Sequence, residues 1–303
     1  MGTVAVSIRI VLMSLVLVGQ SPSVPVLERI VERRLYLADL RNYWYTIVFP
    51  KAESRTRYSG RSEYLYSIVS PSGRSVFAIR REFDLSGRQF DTLIRRGLQH
   101  LIAGPEQVIS VPFDNLFQIG VSQNEQFIAI AGRAQVAVAP NDRRDGIYLF
   151  NRNTGDVKYL AQYDSRSESV GSLSVSDRGD LLVFEEKGTV LLFGGSDGQL
   201  TLIDHHPGRL PTLLPDGSGY IFSYRGRLIL TNDVTKRQLF SVPSVVGAIR
   251  VSPDSQFVAF GVDLSGDLSS TQLRICEVKT LTCVEGPKYS DWIAGRETFW
   301  MIQ

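Results

Sequence analysis

The sequence predicts an all-β protein, a six-bladed β-propeller of four-stranded antiparallel blades. A turn-and-strand phrase recurs along the chain, strand-turn-strand segments follow several copies of it, and the two ends each supply part of a blade. Short strands grouped in fours, with a period of about 40–50 residues, are typical of propeller blades. The apolar runs of these units are short, are bounded by turn residues and do not show helical periodicity.

Each copy of the phrase is a polar turn followed by a short apolar strand. Ser, Pro, Asp and Gly favour the turn, whereas the β-branched and aromatic residues after them favour a strand. The copies span residues 70–79, 122–130, 176–184, 214–222 and 252–260. Because their starting points lie 38 to 54 residues apart, the phrase predicts five blades along the chain.

The second recurring pattern is a hairpin, a strand followed by a polar turn and another strand. Clear copies span residues 146–160, 189–203 and 227–240. One unit is predicted as a complete blade. Its four strands are expected over residues 170–175, 181–185, 189–193 and 199–203.

The sixth blade is predicted to be assembled from both ends of the chain. Residues 35–49 have the pattern of a hairpin, and residues 290–302 supply about two further strands. Pairing these halves closes the ring and removes exposed strand edges. Residues 24–32 are a further strand of this blade or a short helix, so a one-plus-three division stays open.

The first residues have the pattern of a secretory signal. Arg9 precedes an apolar run from Ile10 to Val18, and small residues follow it. The run is shorter than the roughly 20 residues that span a bilayer. We therefore expect a signal peptide over residues 1–23 and a propeller domain over residues 24–303, in a periplasmic or secreted protein without stable membrane insertion after cleavage. An ordinary first strand or an uncleaved anchor is the alternative.

The two cysteines, Cys276 and Cys283, flank a predicted hairpin centred on Lys279 and Thr280. Residues placed directly opposite each other on paired strands have Cβ atoms about 4.5–5.5 Å apart, close to what a disulfide requires. Export supplies the oxidising compartment. The pattern therefore predicts a Cys276–Cys283 disulfide, with two free thiols as the alternative.

Composition and motifs argue against several classes of function. The formal net charge is only +2, without the basic footprint of a nucleic-acid-binding protein. The three His residues are scattered, and His205 and His206 are adjacent on an extended chain, so they point in opposite directions. The chain has no phosphate-binding glycine loop and no EF-hand pattern. We therefore expect no cofactor, no metal, no catalytic residues and no nucleic-acid partner.

Topology predicts where a binding site lies. With the strands of each blade called a to d from the ring centre outwards, the b–c and d–a connections share one face of the ring, and loops on a rigid scaffold commonly carry function. This face is Arg-rich, which suits an acidic ligand or partner; a set of solvated hairpin tips is the alternative. The candidate residues are Arg80, Arg81, Asp84, Arg143, Arg144, Glu185, Tyr224, Arg225, Arg227 and Asp263.

The repeats resemble those of TolB-type propellers, the WD-repeat-like units of exported bacterial proteins. The resemblance rests on the Ser-Pro-Asp-like turn, the apolar strand after it, and an Ile-Tyr-Leu-type strand before Thr-Gly-Asp, over about residues 60–290. It implies the propeller fold and leaves function open. We expect no separate N-terminal α/β domain like that of TolB itself and no α/β-hydrolase domain.

Two functions follow as hypotheses. The first is an exported, non-enzymatic binding propeller, a monomer that holds an unidentified protein or small acidic ligand on the b–c/d–a face. The second is a propeller hydrolase or lyase, of lactonase or glycosidase type, that acts at the central channel. Two or more carboxylates converging at the channel mouth would favour the second hypothesis.

Overall fold

The computed structural model is a ring of antiparallel sheets around a central channel. The described residues are 34–39, 43–48, 51–57, 64–83, 85–87, 89–99, 102–135, 145–163, 171–196, 199–231, 236–242, 244–267, 270–290 and 296–301. The expected signal peptide over residues 1–23 lies outside them. Residues 24–32, the alternative strand of the last blade, also lie outside them.

The two ends of the chain share one four-stranded sheet, here called the closing blade. Its strands are β1 (Arg34–Asp39), β2 (Tyr43–Val48), β3 (Lys51–Arg57) and β25 (Arg296–Met301). They pair in the order β25-β1-β2-β3, with Arg34 opposite Met301 and Asp39 opposite Arg296. The C-terminal strand is therefore the innermost strand of this blade.

The next stretch of chain forms a five-stranded sheet. Its strands are β4 (Tyr64–Val69), β5 (Ser75–Phe83), β6 (Gln89–Gln99), β7 (Ile102–Ala103) and β8 (Gln107–Ile109). The first four pair in sequence order, and β8 also pairs with β6.

Four regular four-stranded blades complete the ring, and in each of them the strands pair in sequence order. Blade I contains β9 (Phe113–Val121), β10 (Phe127–Ala134), β11 (Asp145–Asn151) and β12 (Val157–Gln162). Blade II contains β13 (Gly171–Val175), β14 (Leu181–Glu186), β15 (Thr189–Gly194) and β16 (Thr201–Pro207). Blade III contains β17 (Arg209–Leu213), β18 (Tyr220–Tyr224), β19 (Arg227–Thr231) and β20 (Lys236–Ser241). Blade IV contains β21 (Val245–Val251), β22 (Phe257–Asp263), β23 (Ser270–Glu277) and β24 (Cys283–Ser290).

The prediction of six four-stranded blades is wrong, because the structure has five four-stranded blades and one five-stranded sheet. The cause lies in β6, which is 11 residues long and pairs near its end with β7 and near its middle with β8. Gly104 and Pro105 separate these two short strands. Because Pro has no N–H to donate and Gly weakens a strand, the outer strand is interrupted at this point.

The division of the closing blade also differs from the two-plus-two expectation. Residues 35–49 contribute its second and third strands, and β3 adds the fourth. The C-terminal segment contributes β25 alone, because Ser290 still belongs to β24 of blade IV. The inner strands follow one another around the ring, and β25 contacts both β21 and β4.

The recurring Ser of the predicted phrase closes the turn between strands a and b. Ser252 is fully buried, its Oγ accepts a hydrogen bond from Phe257 N at 2.9 Å, and it donates to Asp254 Oδ1 at 2.6 Å. Equivalent Oγ atoms of Ser70, Ser122 and Ser176 accept from the amide five residues later. The hydroxyl thus satisfies a strand-end amide that is removed from water, which explains why this residue type recurs.

The fourth position of the same turn requires a left-handed backbone. Gly73, Gly179 and Gly217 occupy it with φ between 67° and 73°, whereas Glu125 and Ser255 adopt φ of 62° and 59° there. A side chain makes this conformation costly, by roughly 1–2 kcal/mol per residue. In two blades the turn therefore keeps its left-handed φ although Glu125 and Ser255 disfavour this conformation.

Apolar side chains fill the spaces between neighbouring sheets. One cluster joins the five-stranded sheet to blade I through residues such as Phe77, Phe113 and Tyr148, and the rings of Phe113 and Tyr148 meet edge to face. Inner strands approach each other closely. A Cβ atom at Gly120 of β9 would lie 2.3 Å from the carbonyl oxygen of Leu173 in β13, so only Gly fits there.

The two cysteines form a disulfide, as the sequence predicted. Cys276 lies directly opposite Cys283 across β23 and β24, and their Cα atoms are 4.0 Å apart. The hairpin between them is centred on Lys279 and Thr280. Cys276 is fully buried in the apolar cluster that joins blades III and IV.

Candidate functional site

The predicted binding face carries the b–c and d–a connections. Of the ten candidate residues, Asp84, Arg143 and Arg144 lie outside the described residues. The other candidates divide into two groups. Some contact their own or a neighbouring sheet, and others are exposed at a hairpin turn.

Arg80 and Arg81 both contact carboxylates. Arg80 forms ion pairs with Glu82 and Glu106, the second at 2.5 Å. Partial burial lowers the pKa of Arg80, but the hydrogen bonds and charges of these carboxylates outweigh it, so the pKa is raised and the guanidinium stays charged. Arg81 Nε donates to Asp91 Oδ1 at 3.1 Å.

Asp91 joins the five-stranded sheet to blade I. Its side chain is 0% exposed, and Oδ2 accepts a hydrogen bond from Leu116 N of β9 at 3.0 Å. Arg81 therefore neutralises a carboxylate that holds the inner strand of the next blade. A buried carboxylate needs such partners, because an unpaired buried charge is strongly unfavourable.

Glu185 makes the same kind of connection between blades II and III. Its Oε1 accepts from Arg209 Nε at 3.1 Å, and its Oε2 accepts from Leu210 N at 2.9 Å. The Glu185 side chain is 8% exposed, whereas that of Arg209 is 77% exposed. Leu210 has a left-handed φ of 55°, and the β17–β18 register is irregular there.

Asp263 organises its own connection in blade IV. Its Oδ1 accepts hydrogen bonds from Ser265 N, Ser265 Oγ and Gly266 N, each at 3.0 Å. Such bonds from an Asp to the following amides are typical of an Asx turn. They leave Leu264 at the tip, 45% exposed.

Tyr224, Arg225 and Arg227 lie together on the b–c hairpin of blade III. Arg225 and Gly226 form a two-residue turn with φ of 47° and 71°, the pattern of a type I′ hairpin. The Arg225 guanidinium lies 5.1 Å from the centre of the Tyr224 ring, a cation–π distance. Arg225 and Arg227 are both exposed.

The neighbouring b–c hairpin of blade II has the same shape and also carries a cation. Lys187 and Gly188 have φ of 50° and 76°, and Lys187 is exposed. Gly208 N donates to Gly188 O at 2.9 Å, which brings this turn beside Arg209. Arg209 lies opposite Ser223, the residue before Tyr224.

We call the following residues, which lie on these two b–c turns and on the d–a connection beside them, the basic corner: Lys187, Arg209, Tyr224, Arg225 and Arg227. Four of these residues are cations. The blade II hairpin also carries two carboxylates, Glu185 and Glu186, and Glu185 is buried against Arg209. Sequence reasoning missed Arg209, because its position depends on the packing of β17 against blade II.

The central channel is narrow among the described residues. A cavity of about 60 Å³ lies in it beside the a–b turns, and the ends of the inner strands line this cavity, mainly with apolar residues such as Val69, Val121, Val175 and Val251. One water molecule in the liquid occupies about 30 Å³. This cavity therefore has room for a few waters.

Among the described residues that line this cavity, Asp177 is the only carboxylate. Its Oδ1 accepts a hydrogen bond from Asn124 N at 2.7 Å, and its backbone carbonyl accepts from Asn124 Nδ2 at 2.8 Å. Asp177 therefore links the a–b turns of blades I and II. The converging pair of carboxylates that a channel enzyme requires is not found within the described lining.

Along the described part of the chain, no group of three or more His, Cys, Asp or Glu side chains is placed to hold a metal ion. No described helix is long and apolar enough to cross a membrane. The sequence Gly-x-Ser-x-Gly occurs at residues 194–198, but the next described element after β15 is the strand β16, whereas a nucleophile elbow leads from a strand into a helix.

The comparisons with known proteins support the fold class, a β-propeller. No family model matches the chain, and no curated protein matches it. Among solved structures it is similar to TolB from Acinetobacter baumannii, with a TM-score of 0.55 and 13% identity over 88% of this chain. This chain spans 66% of that TolB chain, slightly less than two thirds.

Two propellers that are named as enzymes have similar TM-scores. An oligogalacturonate lyase in complex with manganese has a TM-score of 0.52 at 15% identity, covering 83% of this chain and 72% of the lyase. A periplasmic gluconolactonase from Pseudomonas aeruginosa has a TM-score of 0.50 at 12% identity, covering 88% of this chain and 98% of its own. At such identities the likeness concerns the fold alone. The chain resembles TolB-type propellers in architecture, as the repeats predicted.

Proposed function

We propose that this chain is an exported, non-enzymatic binding propeller that holds an acidic ligand, or an acidic surface of a protein, on its b–c/d–a face. The basic corner carries the proposal. Arg225 and Arg227 are exposed on a rigid type I′ hairpin and have no carboxylate partner among the described residues. Arg pairs carboxylates and phosphates with two parallel hydrogen bonds, so such a corner suits an anionic partner.

The restricted conformation of the basic corner also supports binding. Both turns of the basic corner are two-residue hairpins, and the stacking of Arg225 on Tyr224 restricts its side chain. A cation that is already positioned loses less conformational freedom when it binds. The Cys276–Cys283 disulfide supports export, because such bonds persist mainly in oxidising compartments.

The alternative, a hydrolase or lyase acting at the central channel, needs a pair of carboxylates for acid–base or nucleophilic chemistry. The described lining offers Asp177, which is already bound to Asn124. The proposal therefore does not include catalysis.

Two acidic probes test the proposal, a labelled deca-glutamate peptide for an acidic protein surface and citrate for a small acidic ligand. We expect one of them to bind with an affinity that falls as salt rises. The double variant Arg225→Ala/Arg227→Ala is expected to bind about tenfold more weakly, since two exposed charge contacts each contribute up to about 1 kcal/mol.

Arg178→Ala is the matched control, because Arg178 is also exposed but lies on an a–b turn, at the opposite face. It should bind like the parent chain. Equal weakening by both variants, or no binding of either probe, would contradict the proposal.

A further inference from the structure

A second cavity lies between the outer parts of blades II and III, away from the basic corner. It has a volume of about 360 Å³ and is lined by residues of β14 to β18 and by the a–b turn of blade III. Four of its lining residues are apolar: Leu181, Leu192, Ile203 and Leu213. Its volume lies at the lower end of the 300–1,000 Å³ range that is typical of small-molecule pockets.

Asp204 is the only charged residue among the described residues that line this cavity. Its Oδ1 accepts a hydrogen bond from His205 N at 2.8 Å, and its Oδ2 lies 2.7 Å from His206 Nε2. These contacts fix the orientation of the carboxylate. Its side chain is still 42% exposed, so it remains accessible to a ligand.

Tyr220 is the second polar residue of the lining. It is 2% exposed, and its hydroxyl has no hydrogen-bond partner among the described residues. Its ring packs against His206 and Phe222, with centroids 6.4 and 5.7 Å away, and those two rings also contact each other. Burial, and then the charge of Asp204, raise the pKa of Tyr220, so the group stays a neutral hydroxyl that can donate and accept.

A buried hydroxyl without a partner costs about 1–3 kcal/mol. A ligand that supplies a hydrogen bond to Tyr220 would recover part of this free energy.

The equivalent groove between blades I and II has a different chemistry. A cavity of about 340 Å³ there is lined by Asp156, Lys158, Arg178 and Asp180, so both signs of charge are present. Lys158 lies opposite Leu149, as Asp204 lies opposite Leu192, and the two residues hold the same position in their blades. Of these two grooves, the one between blades II and III combines a lone carboxylate with apolar walls.

We propose that the cavity between blades II and III binds a small amphipathic cation, an ammonium or guanidinium group on a short apolar body. The cationic head pairs with Asp204, and one of its N–H groups donates to the Tyr220 hydroxyl. The apolar body packs against Leu181, Leu192 and Ile203. This site is independent of the acidic partner proposed for the basic corner.

Isothermal titration of the full chain with three probes of equal length tests the proposal: n-pentylammonium, 1-pentanol and pentanoate. We expect pentylammonium to bind about 10- to 100-fold more tightly than pentanol, which corresponds to one charge-assisted hydrogen bond. Pentanoate should bind more weakly than pentanol, because Asp204 repels it. Equal affinities for the ammonium and the alcohol would overturn the proposal.

Three variants locate the site. Asp204→Asn should abolish the preference for the ammonium, and Tyr220→Phe should weaken its binding about three- to tenfold. Asp156→Asn, in the equivalent groove, is the control and should bind like the parent chain. Unchanged binding by Asp204→Asn would place the ligand elsewhere and refute the assignment.

A fourth variant guards against a loss of folding in Asp204→Asn. Ile203 is 51% exposed at the cavity, so Ile203→Lys should fold and place a competing ammonium beside Asp204. We expect this variant to lose pentylammonium binding while its thermal midpoint stays close to that of the parent chain. Retained binding by the folded variant would contradict the proposal.

Discussion

Replacing Glu185 by alanine tests whether buried carboxylates hold neighbouring blades together. Glu185 belongs to blade II, yet its carboxylate accepts hydrogen bonds from Arg209 and Leu210 of blade III. The change removes both bonds and leaves the Leu210 amide without its acceptor. It also removes the contact that holds Leu210 in its left-handed conformation.

The magnitude follows from the exposure of each partner. Losing the acceptor of a buried amide costs about 1–3 kcal/mol. Arg209 is 77% exposed and regains water, so its ion pair adds at most about 1 kcal/mol. We therefore expect Glu185→Ala to lower the free energy of unfolding by about 2–3 kcal/mol. Glu185→Gln should cost about 1 kcal/mol, because its amide oxygen can still accept from Leu210.

Equilibrium unfolding in urea, followed by circular dichroism, measures these differences. Glu186→Ala is the matched control, since Glu186 is the next residue and is only half-buried. It should change the stability by less than about 0.5 kcal/mol. If Glu185→Ala were as mild as this control, the carboxylate would not be joining the blades.

Three further predictions concern the turns, the disulfide and the closing strand. Ser255→Gly should raise the free energy of unfolding by about 0.5–1 kcal/mol, because glycine adopts the left-handed φ of this turn without strain. Glu125→Gly should not raise it, because this change also removes the 2.8 Å ion pair to Arg95. Urea unfolding of both variants measures the difference. Reducing Cys276–Cys283 should lower stability by about 2–3 kcal/mol, measured by urea unfolding with and without reductant; identical curves would contradict this. A chain that ends at Ser290 lacks β25 and should lose its cooperative thermal transition, whereas an unchanged midpoint in calorimetry would show that β25 does not close the ring.

The recurring turns could be predicted from sequence because their chemistry is local. Ser252 and the amide of Phe257 are five residues apart, and the hydrogen bond between them depends only on the turn. The same holds for the disulfide, since Cys276 and Cys283 are placed opposite each other by one hairpin. A contact between residues that are close in sequence can therefore be predicted from the sequence pattern.

Strand boundaries that depend on pairing could not be predicted. The outer strand of blade II was expected over residues 199–203, but β16 extends from Thr201 to Pro207. His205 and His206 therefore lie within a strand, and His206 packs against Tyr220 of blade III. Polar residues at a strand end resemble a loop in sequence, although a neighbouring sheet can bury them.

The contacts of the candidate site were equally inaccessible to sequence reasoning. Asp91 and Leu116 are 25 residues apart in neighbouring sheets, and so are Glu185 and Leu210. No spacing rule links such pairs, because they meet through the packing of one sheet on the next. The sequence therefore identified charged residues on one face without separating those that join blades from those that are exposed.

The length of the b–c connection explains which charges remain exposed. In blades II and III the connection is a two-residue turn, so Lys187 and Arg225 occupy its first position, where the side chain projects beyond the strand ends. Glu185, two residues before Lys187, already lies within reach of the next inner strand and bonds to it. In blade II the short turn thus separates an exposed cation, Lys187, from a buried carboxylate, Glu185. The hairpin of blade III carries Arg225 and Arg227 and no carboxylate, so the basic corner retains a net positive charge.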